Sequence, residues 1–180
     1  MMSALKSRRT ATAVFVVVVI VFSLLGCHLS LGRRVRTVEA SFFAEELTAP
    51  ATQLNEAAKY ANRILSVING ALDDELYTAL SDSRSALLDA LDAQDIPAAH
   101  DALEALEEAA NAVAAAAGGV TFDTVEDLDA LFDDLAGAMR VARSSDYNSE
   151  VDRFMQNVAN RFPTNILRRI AFVDMPERFE

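Results

Sequence analysis

Leu103 to Ala117 reads LEALEEAANAVAAAA. Its apolar residues Leu103, Leu106, Ala110, Val113 and Ala117 step by three and four, which places them on one face of an α-helix. Two earlier stretches have the same spacing. Leu54, Ala57, Ala61, Ile64 and Ile68 form one stripe; Leu76, Leu80, Ser83, Leu87 and Leu91 form another. Pro50 precedes the first, Asn69-Gly70 separates the two as a helix stop and turn, and Ile96-Pro97 ends the second and opens the third. Gly118-Gly119 closes the third helix. A fourth stripe follows through Val125, Leu128, Phe132, Leu135, Met139 and Ala142 in strict heptads, the spacing of a coiled coil. Thr124 with Asp127 resembles a capping box at its start. The stripe resumes at Tyr147, Val151, Phe154 and Val158, shifted as by a four-residue stutter, and Pro163 stops it. The expected last helix runs over about 124–161, roughly 57 Å at ~1.5 Å per residue, and needs partners along its length. The fold class is all-α: an N-terminal transmembrane or anchor helix, then an antiparallel up-down helical bundle with a long final helix. Aromatic residues gather at Phe42, Phe43 and from Tyr147 onward, so the first and last helices are expected to form the bulkiest packed pair.

The composition agrees. Of 180 residues 32 are Ala, while Gly numbers 6, Pro 4 and Trp 0, a mixture that favours helix. Acids outnumber bases by 27 to 16, so the net charge is −11, which excludes the clustered basic charge a nucleic-acid binder needs. Mean hydropathy is nevertheless positive. The apolar excess is concentrated in Ala11 to Leu31, ATAVFVVVVIVFSLLGCHLSL, which contains no Asp, Glu, Lys or Arg. At ~1.5 Å per residue the run matches the ~30 Å hydrocarbon core of a bilayer, making the lipid bilayer its partner through residues 11–31. Two regions follow: a membrane anchor or lipoprotein-type signal over 1–32, ended by Gly32, and an acidic bundle over 33–180.

Three kinds of N-terminal segment fit. One is a retained single-pass anchor, favoured because apolar residues continue past Cys27 to Leu31. Another is a bacterial lipoprotein signal, with Lys6, Arg8 and Arg9 as its basic region, Leu24-Leu25-Gly26-Cys27 as the lipobox and Cys27 as the lipidated residue. The third is an ordinary cleaved signal, which lacks a good small-x-small site. Three basic residues precede the run (Lys6, Arg8, Arg9) and three follow it (Arg33, Arg34, Arg36), so the positive-inside rule does not orient it. The lipobox-like residues favour an extracytoplasmic bundle, with the cytoplasmic side as the alternative.

Beyond residue 32 the chain has 13 basic and 27 acidic side chains, a net −14. Glu39 to Met139 holds 21 acids against Lys59, Arg63 and Arg84. Helical charge runs of this kind are usually solvated faces. His28 and His100 are the two histidines and Cys27 the one cysteine, too few for a zinc cage. The cluster Asp123, Glu126, Asp127, Asp129, Asp133 and Asp134 lacks the alternation and central Gly of a calcium loop. No nucleophile elbow, phosphate loop or paired Glu-x-x-His ligands occur. No catalytic, cofactor-binding or metal residue is expected, and the protein is read as a non-enzyme.

The stretch from Val141 to Glu180 carries a further signal. Ala142 and Arg143, then Asp146-Tyr147-Asn148, Val151 and Phe154, are followed by Phe162-Pro163-Thr164-Asn165-Ile166 and a tail ending Pro176-Glu177-Arg178-Phe179-Glu180. This combination resembles the end of bacterial LemA family proteins, with Met155 standing where the family has a second Asn. The resemblance implies a divergent member: a membrane-anchored helical bundle of the bacterial cell envelope, not an enzyme, often drawn with the bundle in the cytoplasm. It singles out Arg143, Tyr147, Asn148, Val151, Phe154, Phe162, Pro163 and Asn165 as motif residues of structural role. Arg143, four residues before Tyr147, is placed to stack beside it, and Asn148 to cap or cross-link helices. Phe162 is expected to fold back on the bundle. Ile166, Leu167, Ile170 and Phe172 with Arg168 and Arg169 form a short amphipathic tail that either covers the bundle end or touches a membrane surface. The expected function is a scaffold or interaction module with an unknown protein partner; the alternative is a small-ligand-binding lipoprotein lipidated at Cys27.

Overall fold

The computed structural model of the chain describes residues 2–118, 120, 122 and 127–180. It is all-helical, with a long apolar helix at the N-terminus and helices packed as a bundle. The helices are α1 (Met2–Phe42), α2 (Pro50–Ile68), α3 (Asp74–Asp92), α4 (Ile96–Ala117), α5 (Leu128–Arg143), α6 (Tyr147–Phe154) with a π-helical turn at Met155–Ala159, and α7 (Thr164–Ile170). They belong to two compact units.

The larger unit comprises Glu39–Glu150 and Glu177–Glu180. Here α3 packs chiefly on α4 and α2 chiefly on α5, with α2 also on α3 and α4 on α5. Short connections at 69–73 and 93–95 force neighbouring helices antiparallel. Leu54, Ala57, Ala61, Ile64 and Ile68 are all fully buried, as their spacing requires, and so are Leu80 and Leu87 of α3 and Leu103, Leu106 and Val113 of α4. Burying each Leu or Ile contributes about 1.5–3 kcal/mol, so this apolar interior is what holds the bundle. Among the described residues Ser83 is the buried polar side chain, and its hydroxyl donates to the Leu80 carbonyl at 3.1 Å. The Arg84 Nε donates to the Ala58 carbonyl at 3.0 Å, tying α3 to the middle of α2.

The ends of these helices follow local chemistry. Pro50 opens α2, and Gly70 at φ +73° takes the left-handed position after it. Asp73, Asp95 and Asp127 are N-caps whose carboxylates accept backbone N–H groups of α3, α4 and α5. The cap of α5 is thus Asp127; Thr124, Val125, Asp123, Glu126 and Gly119 lie outside the described residues. Gln94, at φ 57°, holds a left-handed turn between α3 and α4 where glycine is the usual occupant.

The expected continuous final helix is not formed. α5 ends at Arg143, Ser144 and Ser145 donate back to the Arg140 and Ala142 carbonyls, and α6 starts afresh at Tyr147. The phase shift between Ala142 and Tyr147 is met by a break rather than by unwinding, so the coiled-coil reading of the stretch fails there. The buried face of α5 is rotated as well: Leu131, Leu135, Ala138, Met139 and Ala142 are buried, while Leu128 and Phe132 are half-buried.

The smaller unit comprises Met1–Val38 and Val151–Pro176. α1 is long and apolar enough to cross a membrane, a property shared by an N-terminal signal sequence. It continues through Gly32, which does not end it; a lone glycine costs a helix only ~1 kcal/mol. Residues 10–23 are exposed all round, whereas Leu24 and Cys27 are half-covered and Leu31 and Val35 buried. Val35 is covered by the C-terminal part of the unit: Val35, Phe154 and Ala159 form a cluster with Val38, Met155, Val158, Val173 and Met175 around it. The helical run closes at Ala159, before Pro163; Pro163 instead precedes α7.

Candidate functional site

The motif residues fall into both units. In the larger one, Tyr147 and Asn148 open α6, four and five residues after Arg143. Asn148 makes a two-way clamp on one residue of the C-terminal tail. Its Oδ1 accepts the Phe179 N–H at 2.9 Å and its Nδ2 donates to the Phe179 carbonyl at 2.9 Å. An amide side chain can satisfy a backbone donor and acceptor together, which a carboxylate or hydroxyl cannot do in the same way. The Tyr147 hydroxyl donates to the Glu177 carbonyl at 2.6 Å. Phe179, 4% exposed, is thereby seated among aromatic rings: its centroid lies 5.2 Å from Phe42 and 5.3 Å from His100, both edge-on. Phe42 in turn meets Phe43 at 4.9 Å and Tyr147 at 5.1 Å. Edge-to-face rings at these distances attract beyond the burial of their area. Phe42 at the end of α1 and Tyr147 at the start of α6 thus meet ring to ring, with the tail residue Phe179 and His100 joining them, while the main helix packing is of α3 on α4 and α2 on α5.

Burial holds the Tyr147 phenol well above its ordinary range, and the negative charges of Glu39, Glu177 and Glu150 push the same way. The group is therefore a neutral donor throughout the physiological range, which suits it to hold a carbonyl rather than to exchange protons. Arg143 points to α4, where its guanidinium pairs with Glu107 at 2.5 Å, instead of stacking beside Tyr147. His100 sits 3.9 Å from both Asp101 and Glu104 carboxylates, beside the Phe179 ring.

Next to the clamp lies an open groove of about 490 Å³ lined by Ser41, Glu46, Pro50, Ser145, Asp146, Tyr147 and Glu150, among others. The Ser41 hydroxyl donates to the Glu150 carboxylate at 2.7 Å. Three acids and no base line it, so it suits a cationic group. Among the described residues no group of three or more His, Cys, Asp or Glu side chains is arranged to hold a metal ion.

The remaining motif residues lie in the smaller unit. Val151 and Phe154 are buried. Phe162 does not fold back on a core: it is 81% exposed, at a cis Phe162-Pro163 bond. The Asn165 N–H donates to the Arg161 carbonyl, and its Oδ1 is buried with no hydrogen-bond partner among the described residues. Cys27 is a free, half-covered thiol, and its neighbour His28 bonds through Nδ1 to the Ala171 carbonyl at 2.8 Å. The sequence singled out Asn148 and Tyr147 but not Phe179 and Glu177, to which they bond, since nothing local pairs a residue with one thirty positions away.

No family model, curated protein or solved structure matches the chain.

Proposed function

We propose that the protein is a non-enzymatic, membrane-tethered scaffold of the bacterial envelope, a divergent relative of LemA family proteins that presents its acidic bundle to a protein partner. The observation that carries this reading is the groove beside the Asn148 clamp, with Glu46, Asp146 and Glu150 around its opening. Charge of one sign focused in a concave surface favours a partner segment of the opposite sign, here a basic one. The Phe42–Tyr147–Phe179 packing fixes the Tyr147 wall of the groove. α1 supplies the tether, and the bundle is placed on the extracytoplasmic side.

A photo-crosslinker installed at Ser145 of the membrane-embedded full chain tests the partner. A discrete adduct that disappears when Glu46→Lys and Glu150→Lys reverse the charge of the groove is expected; no adduct, or one indifferent to the reversal, overturns the proposal. Protease accessibility in intact cells, spheroplasts and lysed cells fixes the side of the membrane. The second reading, a lipoprotein that binds a small ligand, rests on Leu24-Leu25-Gly26-Cys27. It requires a mature N-terminus at a diacylated Cys27, and an intact N-terminal peptide in the mass spectrum of the purified protein removes it.

A further inference from the structure

The C-terminal segment of the smaller unit exposes four large apolar side chains on and beside α7: Phe162 at 81%, Ile166 at 49%, Ile170 at 51% and Phe172 at 86%. Large apolar side chains gathered on water-facing surface mark a site that something covers. The geometry of α1 says what that is. Residues 10–23, exposed all round, amount to roughly 21 Å of helix at ~1.5 Å per residue, while a bilayer core is ~30 Å thick. Charged Arg8 bounds the run upstream. The missing ~9 Å corresponds to about six residues, Leu24 to Leu29. That is the level at which the C-terminal segment lies, because His28 bonds the Ala171 carbonyl.

We infer that residues 162–172 form a second membrane contact, lying in the headgroup and upper acyl region of the same bilayer that α1 spans. The inference rests on the reading of α1 as a retained span. Three further features of the smaller unit fit it. Arg33, Arg34 and Arg36 are exposed one to two turns beyond His28, and Arg161 and Arg169 are exposed at the C-terminal segment, a belt of cations at headgroup height for anionic lipid. The His28 ring satisfies a carbonyl that would otherwise face hydrocarbon at the end of α7. Phe172 holds φ 51°, a position where glycine is the usual residue, so a bulky ring stands outward at a backbone cost of about 1–2 kcal/mol. Burial of such a ring in the interface offsets a cost of that size.

The chain has no Trp, so single Trp variants report their own surroundings. Full-length Phe172→Trp, Phe162→Trp, Val18→Trp and Leu47→Trp are reconstituted into phosphatidylcholine–phosphatidylglycerol vesicles, with lipids brominated high on the acyl chains or near their ends. Quenching of Phe172→Trp and Phe162→Trp by the high bromines, several-fold stronger than at Leu47→Trp, is expected; Val18→Trp is quenched best by the deep ones. Phe172→Trp and Phe162→Trp indifferent to bromine while Val18→Trp is quenched would overturn this inference and leave the span intact. A blue-shifted emission at Phe172→Trp without quenching, meaning a protein covers the face, overturns it too. If Val18→Trp is itself unquenched, the span and the second contact fail together.

Discussion

Asn148→Ala removes both bonds that hold Phe179 and nothing from the helical core. Each bond is worth about 0.5–1.5 kcal/mol net, so the pair contributes about 2 kcal/mol. The loss is larger if the tail detaches, because burial of the Phe179 ring goes with it; a Phe ring contributes about 1.5–3 kcal/mol. For a chain of this size about 2 kcal/mol corresponds to a fall in Tm of roughly 4–8 °C. The measurement is helix unfolding of the full chain in detergent by circular dichroism, paired with hydrogen exchange at the Phe179 amide. That amide should be protected in the wild type and exchange at the free-peptide rate in the variant. Asn148→Asp sharpens the test: it keeps the acceptor for the Phe179 N–H but turns a carboxylate oxygen toward the Phe179 carbonyl, and should cost at least as much as alanine at neutral pH. A Tm change below about 1 °C for Asn148→Ala, with Phe179 exchange unaltered, would refute the clamp.

Tyr147→Phe should cost about 1 kcal/mol by losing the bond to Glu177, and it should also change the alkaline limb of stability. The folded state keeps this phenol neutral above its ordinary pKa near 10, so its contribution is full below about pH 10 and is lost as pH rises beyond that. Unfolding free energies from urea titrations between pH 9 and 11 should therefore fall for the wild type by up to ~1.4 kcal/mol per pH unit at the upper end and less for Tyr147→Phe; parallel curves would contradict the buried phenol. Leu103→Ala, at a fully buried position of α4, should destabilise by about 2–5 kcal/mol in the same titration. Arg143→Gln breaks a half-exposed ion pair with Glu107 and should cost no more than about 1 kcal/mol, a loss that shrinks in high salt. Gln94→Gly relieves a left-handed residue and should raise Tm, since glycine takes that conformation without the ~1 kcal/mol penalty.

Where the reading of helices succeeded, it drew on information carried within a few residues. Leu54 through Ile68 gives both the period of α2 and its buried face, and Pro50, Gly70 and Pro97 mark helix ends by their own backbone chemistry. α5 shows the limit. A regular stripe continued on paper from Val125 to Val158, but the stripe does not reveal whether a phase change unwinds or breaks, and so the buried face there came out rotated. Asn148 and Tyr147 stood out in the sequence as motif residues, whereas the clamp they form did not, because its other half lies at Glu177 and Phe179.

By itself the sequence determined an apolar helix near the N-terminus, an acidic all-helical remainder and most of the faces that become core. Those follow from side-chain period and hydropathy, which act locally. Only the tertiary structure decided the rest: that the chain breaks after Arg143, that the last residues return to Phe42 and His100, and that residues 151–176 lie along α1 up to His28. Each of these is a choice of partner among surfaces of similar polarity, settled by the shape of the packed aromatic rings and by which backbone groups an Asn, a Tyr or a His can satisfy.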